Sequence, residues 1–113
     1  MKNEIVAVAC NGENVSLHFG RCEGYIFFKI ENDEITEKKF VQNPGHQPGF
    51  LPEFLKENGV NTLITGGAGP RAIELLENYG IKCVLGVSGD VNTVIDQYIK
   101  GELKPGESSC NHN

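Results

Sequence analysis

VNTLITGGAGPRAIELLENYGIKCVLG, residues 60–86, decides the fold class. It opens with a short apolar, β-branched run, Val60–Thr65, that reads as a buried strand. Turn chemistry follows at Gly66-Gly67-Ala68-Gly69, and then Pro70, whose missing N–H is harmless at the first position of a helix. Ala72, Ile73, Leu75, Leu76 and Tyr79 recur at helical spacing and make one apolar face, and Gly80 stands where that helix ends. Ile81–Gly86 is a second strand. A strand, a crossover helix and a strand form a right-handed parallel unit, so the class is α/β.

Downstream, Ser88-Gly89-Asp90 offers N-cap oxygens to a helix with Val91, Val94, Ile95, Tyr98 and Ile99 on one face, ended by Gly101. Upstream, residues 4–10 are a short apolar run and read as another buried strand. Segments 25–31 and 35–42, joined by the turn cluster Asn32-Asp33-Glu34, predict an antiparallel hairpin. Its second strand is polar enough to be an edge, with Lys38 and Lys39 discouraging further pairing. Segment 15–23 has no sustained period and is expected to be a loop. Residues 43–49 carry two X-Pro-Gly units, and Pro52 is placed to open a short helix ended by Asn58-Gly59.

The expected order is β-β-β-α-β-α-β-α, a five-stranded mixed sheet with helices on both faces. It forms one domain over residues 1–104, followed by a flexible tail over 105–113 with Pro105, Gly106 and two serines.

The chain has 113 residues, a net charge of −5 and 14 glycines. This length suits one domain with a core of its own. No Lys/Arg cluster offers a phosphate-backbone footprint, so nucleic acid is not an expected partner. No apolar run approaches the ~20 residues of a membrane span, and no signal peptide is recognisable. A cytoplasmic protein without a membrane partner is expected. The four cysteines, Cys10, Cys22, Cys83 and Cys110, form no C-x-x-C pair, which removes zinc-ribbon and thioredoxin-type readings.

Two segments carry candidate chemistry. His18-Phe19-Gly20-Arg21-Cys22 places an imidazole and a thiol four residues apart, ligands suited to iron and other borderline or soft metals. Arg21 can neutralise an anion through forked hydrogen bonds, and Gly20 lets backbone approach closely. The same residues also read as a polar surface loop. The second segment, Gly66-Gly67-Ala68-Gly69-Pro70-Arg71, joins a strand's carboxyl end to a helix start, where free amides, the helix dipole and Arg71 favour an anion. It reads equally as a tight turn. It lacks both the G-x-G-x-x-G spacing and the Walker lysine, so no nucleotide is expected. Cys10, at the ligand-bearing end of the first strand, is a candidate ligand or a small buried hydrophobe. Cys83 reads as core. Cys110 and His112 form a Cys-x-His on the tail that could relay a metal. No nucleophile elbow, no H-E-x-x-H and no converging carboxylates are present, which disfavours hydrolases and two-metal nucleases.

Residues 15–21 with their His-Phe-Gly motif, the strand 25–30, the Gly66–Gly69 loop and the Asn92–Leu103 ending occur in an order that resembles the dinitrogenase iron–molybdenum cofactor biosynthesis family. The likeness spans about residues 4–103. It implies a ribonuclease H-like sheet and a role in binding iron–sulfur or iron–molybdenum clusters or their precursors. It also implies that His18 contacts the cluster, with Arg21 at the position that commonly follows. Three functions fit these residues. A non-enzymatic carrier would use His18, a thiolate from Cys22 or Cys10, and anion contacts from Arg21 and the 66–69 amides, with cluster-assembly or acceptor proteins as partners. A small enzyme would use His18 as acid/base on an anionic substrate held at the Gly66–Gly69 turn. A regulatory or scaffold domain would bind a protein partner.

Overall fold

In a computed structural model, residues 3–45 and 50–103 are described. The strands are β1 (Asn3–Asn11), β2 (Asn14–Val15), β3 (Gly24–Glu31), β4 (Glu34–Gln42), β5 (Thr62–Ile64) and β6 (Lys82–Val84). The helices are α1 (Phe50–Glu57), α2 (Pro70–Asn78) and α3 (Val91–Lys100), with a 3-10 turn at Phe19–Arg21. One mixed sheet has the order β4-β3-β1-β5-β6, and β2 folds back on β1. β3 is antiparallel to both β1 and β4, whereas β1, β5 and β6 are parallel.

β1 runs through the middle of the sheet and feeds two cores. Ala7 and Ala9 pack with Leu51, Leu55 and Leu76 of α1 and α2. Val6, Val8 and Cys10 pack with Val91, Val94 and Ile95 of α3. Helices therefore lie on both faces, and residues 6–10 lose all contact with solvent. A strand buried on both sides reads as an unbroken apolar run, which is why this segment shows no alternation. Removing each of the buried leucines from water contributes roughly 1.5–3 kcal/mol.

The hairpin is formed as expected. Asn32 (φ 54°) and Asp33 (φ 65°) make its two-residue turn, in the left-handed conformation that matches strand twist. β4 lies at the sheet edge.

The expectation of five strands is corrected to six. The added strand, β2, pairs Val15 with Cys10 and Asn14 with Asn11, and its Val15 opens the segment expected to be a loop. Two residues are too few to show a period, and only the folded pairing reveals them. Helix α1 also starts at Phe50, two residues before Pro52. Proline is tolerated there because the amides of the first turn have no partner within the helix. Residues 105–113, including Cys110 and His112, lie outside the described residues, as does His46. Among the described residues no helix is long and apolar enough to cross a membrane.

Candidate functional site

The segment after β2 is fixed by its backbone and by one aromatic ring. Ser16 is buried, and its Oγ accepts from the His18 amide and donates to the His18 carbonyl, both at 3.1 Å. Asn11 Nδ2 donates to the same Oγ at 3.3 Å. Phe19 drives its ring into the core, 5.7 Å from the Tyr25 ring. The Phe19 carbonyl accepts from the Tyr25 hydroxyl at 2.6 Å and from the Cys22 thiol at 3.3 Å. With Phe19 held inside, His18 and Arg21 on either side of it are exposed. Arg21, Gly20, Cys22, Asn43 and Gly45 line an open cleft of about 230 Å³.

The glycine turn is brought against this segment. The Gly66 amide donates to the Ser16 carbonyl at 2.8 Å, and the Phe19 amide donates to the Gly67 carbonyl at 2.9 Å. The Thr65 hydroxyl lies within 3.2 Å of the Gly67 carbonyl and 3.4 Å of that of Ser16. A Cβ on Gly66 would stand 2.8 Å from Leu17 Cα and 2.9 Å from the Ser16 oxygen, so only glycine permits this approach. The two candidate segments thus meet beyond the carboxyl ends of the parallel strands β1 and β5, where open α/β sheets place ligands. The Gly66 amide is committed to Ser16. At the start of α2, Gly69 gives no side-chain cap and Arg71 is exposed, which favours an anion there.

The thiols sit beneath this surface. Cys10 is fully buried and Cys22 nearly so. Burial, aided by Cys22 and Glu23 nearby, pushes the Cys10 thiol up to about 11. Burial also raises Cys22, against the lowering effect of its hydrogen bonds. Both are therefore neutral at physiological pH. Cys83 on β6 is half-buried and packs against the α1/α2 core, and burial raises it to about 11 as well. Among the described residues no three His, Cys, Asp or Glu side chains gather into a metal site.

Residues 2–101 match the profile of the family described as dinitrogenase iron-molybdenum cofactor. The chain belongs to that family. A relative from Methanocaldococcus jannaschii, the uncharacterized protein MJ0580, is 30% identical over 104 residues, 88% of each chain. The crystal structure of PH0822 is similar with a TM-score of 0.84 at 38% identity, covering 89% of this chain and 93% of that one. The apo form of the orange protein from Desulfovibrio gigas gives a TM-score of 0.76 at 23% identity, covering 93% and 94%. At that identity the likeness is one of fold.

In this member of the dinitrogenase iron-molybdenum cofactor family, several residues that shape the site escaped the sequence reading. Ser16, Thr65, Tyr25 and Asn43 are polar residues whose partners are backbone carbonyls and amides of the two loops. Asn43 Nδ2 donates to the carbonyls of Cys22 at 2.9 Å and Gly20 at 3.4 Å, tying the end of β4 to the cleft. The available signal was the type of residue: hydroxyls and amides in or next to loops, where a loop must satisfy its own backbone.

The raised thiols carry a prediction. Cys10 and Cys83 ionise near their ordinary 9.0 in the unfolded chain and near about 11 in the fold. Between these values the unfolded state holds fewer protons, so stability falls as pH rises. Below pH 9 their contribution is constant. A Cys10→Ala variant is expected to lose part of the wild-type decline in thermal midpoint between pH 9 and 11. An identical slope in both proteins would show that the thiol is not raised.

Proposed function

We propose that the protein carries an anionic metal–sulfur cluster, of the iron–sulfur or iron–molybdenum type, and passes it on without transforming it. The observation that carries this reading is the exposure of both His18 and Arg21 on a segment locked from below by Phe19, in a chain of the iron–molybdenum cofactor family. His18 supplies a nitrogen ligand. Arg21 and the start of α2 with Arg71 stabilise the anionic periphery. Cys22 lines the cleft beside Arg21, and a bound metal would favour its thiolate, because coordination displaces the thiol proton. Cys10 is deeper and would act only if the segment opened. Few protein ligands on an exposed surface suit cargo that must be released to an assembly or acceptor protein. The strand order, with β1 central and β3 antiparallel to it, supports a ribonuclease H-like reading of the sheet.

The test is anaerobic reconstitution with ferrous iron and sulfide, followed by desalting and visible absorption. Wild type is expected to retain cluster. His18→Ala is expected to hold it at least about tenfold more weakly, a loss of about 1.4 kcal/mol, with an unchanged thermal midpoint because the ring is exposed. Equal retention by the two proteins would remove His18 from the site. Retention by neither would overturn the carrier reading.

A further inference from the structure

The free edge of β4 is exposed along nearly its whole length, and two of the exposed large hydrophobic residues, Ile35 and Phe40, lie on it. Its lysines repel an arbitrary strand. One partner escapes that repulsion. If a second β4 lies antiparallel with the two Lys38 residues opposite each other, Glu37 of each chain faces Lys39 of the other. We propose that β4 joins two copies of this chain in that register, making one sheet continuous across the pair.

Three observations support the register. First, directly opposed charges of opposite sign stabilise a strand pair, and this alignment gives two such pairs by symmetry. Neither Glu37 nor Lys39 forms an ion pair among the described residues. Lys29, across the ladder from Glu37, is engaged by Glu31 at 3.6 Å. Second, the one like-charge contact, Lys38 with its copy, is relieved within each chain. Lys38 Nζ donates to Asn92 Oδ1 of α3 at 3.1 Å and lies 5.9 Å from the centre of the Phe28 ring on β3, so it is drawn inward from the free edge. Third, Phe40, whose ring lies over Gly24 of its own β3 and is still half exposed, stands opposite Thr36 of the second copy, which would shield its outer side from water. The ladder is short. The β3–β4 register shifts at Lys29/Ile30 and leaves Thr36 unpaired, which bends the edge beyond Glu37. A contact of this size is weak and concentration-dependent.

Analytical ultracentrifugation and native mass spectrometry test it. Wild type is expected to show dimer at roughly 0.5 mM in low salt and less in high salt. Glu37→Lys alone and Lys39→Glu alone are expected to remain monomeric, because each puts like charges opposite one another. An equimolar mixture of the two variants is expected to restore dimer as the heterodimer, in which each of the two pairs between positions 37 and 39 again joins a Lys to a Glu. A monomeric wild type overturns the proposal, as do single variants that dimerise like wild type. A mixture that stays monomeric overturns the register.

Discussion

Gly66→Ala is expected to destabilise the protein by about 2–4 kcal/mol and to cost it most of its cluster retention. A Cβ at this position meets backbone on two sides, Leu17 Cα at 2.8 Å and the Ser16 carbonyl at 2.9 Å. Backbone cannot rotate aside as a flexible side chain can. To make room, the 16–18 segment must move off β5. The Gly66–Ser16 hydrogen bond then lengthens, and the neighbouring Phe19–Gly67 bond is strained with it. Those two bonds set the position from which His18 projects. Gly69→Ala is the control. Nothing lies within 4 Å of its Cβ, and its φ of −69° suits any residue, so its effect stays within about 0.5 kcal/mol. Urea denaturation checks both variants. A Gly66→Ala midpoint equal to that of Gly69→Ala would show that the two loops are not locked together.

The contrast between these glycines marks how far sequence reading reaches here. The β-α-β unit at 60–86 was legible because strand and helix periods, Pro70 and Gly80 all act within a few residues of one another. The hairpin was legible for the same reason, since Asn32-Asp33 closes it locally. The reading of Gly66 was different. Sequence placed it in a turn that either permits a bend or faces an anion. In the fold its distinctive duty is close approach to Ser16 and Leu17, fifty residues away, and no local pattern encodes that contact. The His-Phe-Gly run stood out as a motif, but only the core explains its form: Phe19 is the anchor and His18 the exposed group. The neutrality of Cys22 was equally hidden, because burial belongs to the assembled sheet, whereas for Cys10 a small buried hydrophobe was one of two readings and is the one the fold shows. A thiol one residue from an arginine reads as a ready ligand until its depth is known.

The anchor itself gives the second large effect. Tyr25→Phe is expected to destabilise the protein by about 1–3 kcal/mol, the cost of leaving a buried carbonyl poorly satisfied. The Tyr25 hydroxyl is the short donor to the Phe19 carbonyl, at 2.6 Å, and the Cys22 thiol at 3.3 Å is the other. A thiol is a weak donor, so Cys22→Ala should cost less of this bond than Tyr25→Phe. Burial raises the Tyr25 hydroxyl far above its ordinary value, so the donor keeps its proton through neutral and mildly alkaline pH. The substitution preserves the ring and its contact with Phe19, isolating the hydrogen bond. Its consequence reaches the surface, because the carbonyl that Tyr25 holds belongs to the residue between His18 and Gly20. Cluster retention should therefore fall in Tyr25→Phe even at temperatures well below its unfolding midpoint. Wild-type retention and midpoint together would mean that packing and the Cys22 thiol suffice to fix Phe19, and that the His18 segment owes its position to the Gly66–Ser16 side of the site.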